Sequence, residues 1–311
     1  MFSDDSLTFG QAEGYYDAAM QATETIKAHN IAIVVINSNT GLHLTSEKTM
    51  AFFKKYSCNV LGIPIKSIQI TQDRSLSTQQ MADIGEKVVP YKVVNSLEEA
   101  LQSAERFGYP VLARYDVVSF DDRRSSYANN REELIALVNS ALINSSQLFI
   151  DKSVKGWKKV QYEVICNMEN TDPLALRTGE SIVVVASQTL SNDEYSLLRS
   201  VLIEVVRHLS IIGACNVQFA LKPLSSEYYR MRVNAQLSRL SALTSKATGY
   251  SLAYITAELA IGMSLIDLNN SITNETSACF KPSLDYIVMK VPKLDLRKFL
   301  RCSNEIESSN K

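Results

Sequence analysis

The chain has 311 residues, with 32 Lys and Arg against 33 Asp and Glu, a formal net charge of -1, 46% apolar residues and 21% charged ones. These proportions exclude a disordered or fibrous chain and allow a sizeable core or two small domains. The near-neutral balance argues against a dedicated nucleic-acid binder, which needs a basic face to release counterions.

The first residues, Met1 to Gly10, are acidic and short of apolar side chains, which is not the pattern of a signal peptide. A helix is expected over about Gln11 to His29, then a strand at Ile31–Ile36 and a second helix. This part ends at Gly62-Ile63-Pro64. Ile65 to about Ala104 reads as a small mixed segment. Strand-rich sequence follows from Tyr109 to Val233. Strands are expected at Ile31–Ile36, Val88–Val94, Pro110–Arg114, Gln147–Ile150, Val160–Cys166, Ile182–Ser187, Asn216–Leu221, Tyr228–Val233 and Asp285–Val291. Ser96 with Glu99 spells a capping box for a helix that stops at Gly108, with Pro110 beyond. Asn130 with Glu133 repeats the spacing ahead of Leu134, Leu137, Val138 and Ala141. Ser191 with Glu194 opens a third helix, whose stripe is Leu198, Val201, Leu202, Val205, Val206 and Leu209. A further helix is expected from Leu252 to Met263. Strands alternating with helices predict an α/β architecture. Ser303 to Lys311 is a polar tail.

Five scattered cysteines (Cys58, Cys166, Cys215, Cys279, Cys302) form no C-x-x-C pair, and the three histidines (His29, His43, His208) show no metal spacing. Reduced, buried thiols in a cytoplasmic protein are the expectation, with no zinc site. The longest apolar runs, Ile31 to Ile36 and Ile182 to Ala186, fall far short of the ~20 residues of a membrane span. No nucleic acid or membrane is expected as a partner. Glycine is scarce: 11 of 311 is about 3.5%, roughly half the usual 7%. A glycine-rich phosphate loop would have to draw on those few.

Longer motifs point to a family. The stretches Thr178 to Tyr195 (TGESIVVVASQTLSNDEY), Arg207 to Leu221 (RHLSIIGACNVQFAL), Val233 to Gly262 and Ala278 to Phe299 together resemble the large subunit of carbamoyl-phosphate synthetase. The match is to its first, carboxyphosphate-forming half in the eukaryotic form. Gly62 to Arg74, Ile84 to Arg114 and Asp151 to Val164 fit the same half in order. Phe9 to Asn39 is similar to the segment before its ATP-grasp domain. The resemblance covers about Leu7 to Phe299. It implies a truncated α/β pre-ATP-grasp domain over 1–64, an ATP-grasp domain over 65–302 and a tail over 303–311. It also implies ATP and magnesium as ligands, bicarbonate as substrate and an arginine or pyrimidine pathway. Nothing in the chain resembles the glutaminase or the second half of that family.

Residue by residue, the resemblance is uneven. Arg74 and Arg114 match arginines that contact ATP phosphates, and Val154 and Gln218 also match ATP-binding positions. Arg239 matches an anion contact and lies with Lys246 in a retained segment. Taken alone, Arg74, Arg114, Arg239 and Lys246 read equally well as locally paired surface charges. The family has a glycine-rich loop just after the arginine matched by Arg114. Here Arg114 to Ser126 contains no glycine, and Phe120 and Asp121 stand where two adjacent glycines belong. Asp116, Asp121 and Asp122 would repel phosphate. For magnesium, the resemblance assigns a glutamine, a glutamate and an asparagine. Gln218 and Asn234 match the first and third, but Arg232 replaces the glutamate. Residues 232 and 234 face one side of a strand, so the spacing is kept and the charge inverted. At ~5 Å and an effective dielectric of ~20, each unit of like charge costs roughly 3 kcal/mol, and magnesium carries two. Arg232 touching phosphate directly stays open as the other reading.

Further departures are Gln236 for an arginine, Lys159 for a glutamate near the ribose and Arg177 for a histidine. A hairpin between Val164 and Cys166 is missing, as are the opening strand and a stretch between Leu44 and Phe52. A lost first strand leaves a sheet edge to be covered. Trp157 reads as a packing anchor rather than a base-stacking ring. The first expectation is therefore a degenerate, non-catalytic homologue that binds or regulates an intact synthetase. The alternative is an active ATP-dependent ligase fragment that phosphorylates bicarbonate. A third reading is the product of a gene fragment.

Overall fold

The structure, a computed structural model, describes residues 33–36, 54–55, 57, 59–115, 125–143, 145, 147–163, 166–171, 181–280 and 283–292. The chain divides into two compact units. The first takes Met1–Gln69, Leu209–Asn216 and Asn234–Lys281, and the second takes Ile70–His208, Val217–Val233 and Pro282–Lys311. The expected helix at Gln11 to His29 and the polar tail lie outside the described residues.

In the first unit, β1 (Ile33–Ile36) pairs in parallel with β2 (Asn59–Gly62), from Ile33 opposite Asn59 to Ile36 opposite Gly62. Helix α1 (Ile65–Gln72) starts here, and Ser67 donates its hydroxyl to the Leu209 carbonyl at 2.6 Å. Gly213 has φ 108°, and a Cβ there would lie 2.8 Å from Thr256 Cγ2. Only glycine fits, because both the backbone and the space refuse a side chain.

The second unit holds two sheets. In the four-stranded one the order is β3 (Tyr91–Val94), β6 (Leu148–Lys152), β4 (Val111–Tyr115) and β5 (Ser125–Ala128), antiparallel throughout. Helices α3 (Leu97–Phe107) and α4 (Arg131–Leu142) cover it. Their caps are those expected: Ser96 accepts from Glu99 N, Asn130 accepts from Glu133 N, and Gly108 ends α3 at φ 80°. Ala100, Ala104 and Ala141 let the helices approach, and Leu134, Val138, Leu148 and Ile150 fill the layer. Burying each of the larger side chains contributes about 1.5–3 kcal/mol.

The six-stranded sheet runs β11 (Tyr228–Asn234), β10 (Asn216–Leu221), β7 (Lys158–Glu163), β8 (Cys166–Asn170), β9 (Val183–Val185) and β12 (Val288–Lys290). The single strand expected over Val160–Cys166 is two strands, since Glu163 and Cys166 lie opposite each other with only residues 164–165 between. The shortened connection leaves the pairing intact. Expected strand Val88–Val94 starts only at Tyr91, because Pro90 has no N–H to donate; Val88 instead makes an isolated parallel bridge to Arg230. Helix α5 (Asn192–His208) buries Leu198, Val201, Leu202 and Val205, as its stripe requires. Its start is a capping box between Ser191 and Glu194. Helix α2 (Arg74–Asp83), with N-cap Asp73, has a weak apolar pattern and was not expected. In the first unit the same holds for α6 (Arg239–Thr248), which has a capping box at Ser238, whereas α7 (Leu252–Ala260) ends three residues before the expected Met263. Among the described residues no helix is long and apolar enough to cross a membrane.

Candidate nucleotide and metal site

Two of the matched arginines come together on one carboxylate. Arg74 opens α2 just after the Asp73 cap, and Arg114 lies near the end of β4. Asp151, on β6, is 1% exposed. Arg74 Nη2 donates to Asp151 Oδ1 at 2.7 Å, and its Nη1 donates to Oδ2 at 3.3 Å. Arg114 Nη2 donates to the same Oδ2. The Arg74 guanidinium also lies 4.2 Å from the centroid of the Tyr91 ring. Burial, with Arg114 beside it, pulls the Arg74 pKa down against the pull of Asp151. A buried carboxylate with two such partners is fully bonded. The arginine side chains keep 26% and 33% of their surface exposed.

The glycine-free stretch is the connection from β4 to β5, where Arg114 stands opposite Ser125. Its inner residues, including Asp116, Phe120, Asp121 and Asp122, lie outside the described residues, as does Arg177. Val154 is 5% exposed and packs with Val89 and Ala220; Trp157, Tyr229 and Met231 close over them. Trp157 is stacked on Tyr229, with centroids 5.2 Å apart and planes 13° apart. That ring is used for packing.

The remaining matched positions are spread along the strands. Lys159 is 8% exposed on β7, opposite Asn170. Gln218 is half-buried on β10 and Arg232 half-buried on β11; both have partners. Asn234 belongs to the first unit, where its Nδ2 donates to Asn216 Oδ1 at 3.4 Å. In that unit Gln236 is half-buried, Arg239 opens α6 after its Ser238 cap, and Lys246 lies exposed in the last turn of that helix.

The residues that sequence reasoning missed surround Arg230. Strand alternation puts Tyr228, Arg230 and Arg232 on one face of β11. Arg230 is 4% exposed, and burial pushes its pKa down to about 10, with Arg74 adding to the shift. Tyr228 donates to both Glu86 carboxylate oxygens at 3.2 Å. Burial raises the Glu86 pKa and pushes that of Tyr228 up to about 12. Two arginines two residues apart in a strand are a legible signal of a charged face. Asp151 was legible too, as a carboxylate closing the run Leu148-Phe149-Ile150.

These residues do not fit a magnesium ion. Magnesium takes carboxylate and phosphate oxygens. The β11 face offers guanidiniums, and Gln218 is neutral. Among the described residues no three His, Cys, Asp or Glu side chains converge on one point.

The model of the family described as "Carbamoyl-phosphate synthase L chain, ATP binding domain" matches residues 73–268. The chain is 50% identical over 283 residues to the multifunctional protein pyr1-3 of Dictyostelium discoideum, covering 88% of this chain and 12% of that one. It is 45% identical over 283 residues to the arginine-specific carbamoyl phosphate synthase large chain, mitochondrial, of Schizosaccharomyces pombe, covering 88% and 24%. Among solved structures, a biotin carboxylase complex from Campylobacter jejuni matches with TM-score 0.69 at 15% identity, over 82% of this chain and 60% of that one. That likeness shows the ATP-grasp fold, as the resemblance implied. The chain therefore spans a small part of its long relatives, and it belongs to the carbamoyl-phosphate synthase large-chain ATP-binding family.

Proposed function

We propose that this chain is a degenerate, non-catalytic ATP-grasp domain of the carbamoyl-phosphate synthase type, which binds or regulates an intact synthetase in the cytoplasm. The division at residues 64 and 302 belongs to the same proposal. One observation carries it. The β11 face where the resemblance places a metal-binding glutamate carries Arg232, with buried Arg230 two residues away. A guanidinium has no lone pair to offer a cation and stays protonated. Each unit of like charge near a metal adds roughly 3 kcal/mol of repulsion at ~5 Å. Membership of a family does not carry its chemistry where the site is changed.

Thermal unfolding with MgATP, and with ATP plus EDTA, tests the reading. Ligand at ~100 times its dissociation constant stabilises by roughly 2.7 kcal/mol. The expected result is no magnesium-dependent rise; a clear one sinks the proposal. Copurification tests the partner, and recovery of no synthetase component removes the regulatory role. The second reading, an active ligase fragment using bicarbonate and ATP, is favoured by one feature: Asp151 holds Arg74 and Arg114 side by side with part of each exposed. Bicarbonate-dependent ATP hydrolysis by the purified chain is its test.

A further inference from the structure

Among the described residues no carboxylate lies within ion-pair distance of buried Arg230. Among the described residues its one side-chain hydrogen bond is from Nη1 to Ser77 Oγ, at a long 3.3 Å, and its buried Nε has no partner. Its backbone N–H is already spent on the Lys87 carbonyl. The groups around it are Arg74 and Ser77 on α2, Glu86 in the segment before β3, and Tyr228 on its own strand. The nearby carboxylates are engaged elsewhere. Asp151 is shared by Arg74 and Arg114, and both oxygens of Glu86 accept from Tyr228. Glu204 bears on Glu86 and Tyr228 rather than on Arg230.

A buried guanidinium carries five donors in a flat fork, and leaving them unmade is costly. Two adjacent N–H groups of that fork match two oxygens of one tetrahedral anion. We propose that Arg230, between β11 and α2, is the seat of a small oxyanion of the phosphate or sulfate class, with Ser77 as its neighbouring hydroxyl. The seat needs no metal. It is separate from the Arg74–Asp151–Arg114 cluster, in which a carboxylate faces the two arginines at bonding distance.

The test is thermal unfolding of the full chain in EDTA, with sodium phosphate against sodium chloride at matched ionic strength. Phosphate is expected to raise the wild-type midpoint saturably, by roughly 5 °C at ~100 times the dissociation constant. Arg230→Met loses that rise, and Arg131→Ala, at an exposed pair away from the site, keeps it. Without phosphate, Arg230→Met melts at or above the wild type, because a thioether replaces an uncompensated charge. A phosphate response equal in Arg230→Met, or no larger than that to chloride in the wild type, overturns the proposal. If Arg230→Met fails to fold, Arg230→Lys keeps the charge without the fork and is expected to weaken phosphate at least tenfold; an unchanged affinity overturns it. Crystals soaked in selenate supply the position. An anomalous peak on the Arg230 guanidinium is expected, and a peak confined to Arg74 and Arg114 overturns the seat. EDTA throughout keeps this response distinct from magnesium-dependent ATP binding, so either proposal can fail alone.

Discussion

Arg74, Arg114 and Arg230, all in the second unit, stand in two different environments. Beside the four-stranded sheet, Arg74 from α2 and Arg114 from β4 converge on Asp151, and each charge is answered at short range. On β11, Arg230 is buried deeper and has one long bond to a neutral hydroxyl. The chemistry of the side chain is the same in both places. Its consequence differs, because a buried charge is tolerated to the extent that its partners replace water.

The largest expected effect breaks the paired side. Asp151→Ala leaves two guanidiniums facing each other and should destabilise by about 3 kcal/mol, the low end for a broken buried pair because both keep some solvent. A urea midpoint close to that of the wild type would mean the cluster is solvated after all. Arg230→Met should act in the opposite direction in an anion-free buffer, adding about 1–2 kcal/mol. Clear destabilisation there would show that Arg230 is already compensated.

The third prediction is a pH dependence. Burial raises the Glu86 pKa above its ordinary value, with Glu204 adding to the rise and Tyr228 and Arg230 opposing it. A raised carboxyl pKa means the folded chain holds the proton longer than the unfolded one. Its contribution is fully present below the unfolded pKa and is lost as pH rises through the folded one. Glu86→Gln removes this loss. Its stability relative to wild type should therefore grow from about pH 4 upward through the carboxylate range, by urea denaturation. In the Arg230→Met background the Glu86 carboxyl should titrate higher still, by carbon NMR. The smallest effect belongs to an exposed pair. Arg131 and Glu105 meet at 3.1 Å with side chains 57% and 62% exposed. Arg131→Ala should change stability by at most about 0.5 kcal/mol. A larger loss would mean that exposure is a poor guide to the contrast between the two buried arginine environments.

Local signals carried much of the fold. The caps at Ser96, Asn130 and Ser191 and the α5 stripe are events within one or two helical turns, so they are visible in order along the chain. Helix α2 was not visible in the same way. Its apolar pattern is weak, and it is held by contacts made far away in sequence, such as Ser77 with Arg230 and Arg74 with Asp151. Strands β7 and β8 read as one in the sequence for a related reason, since a two-residue connection leaves too little sequence between them to mark a turn.

The candidate site divides in the same way. Family membership, the arginine at position 232 and the absence of glycine between Arg114 and Ser126 are properties of the order of residues, so the sequence alone determined them. What Arg74 and Arg114 hold, and what Arg230 lacks, depends on which carboxylates fold brings within bonding distance. Asp151 is 77 residues from Arg74 and 37 from Arg114, and Ser77 is 153 from Arg230. No local pattern encodes such meetings. Whether a charge is compensated depends on its neighbours in space and on exclusion of water, and only the tertiary structure decided both.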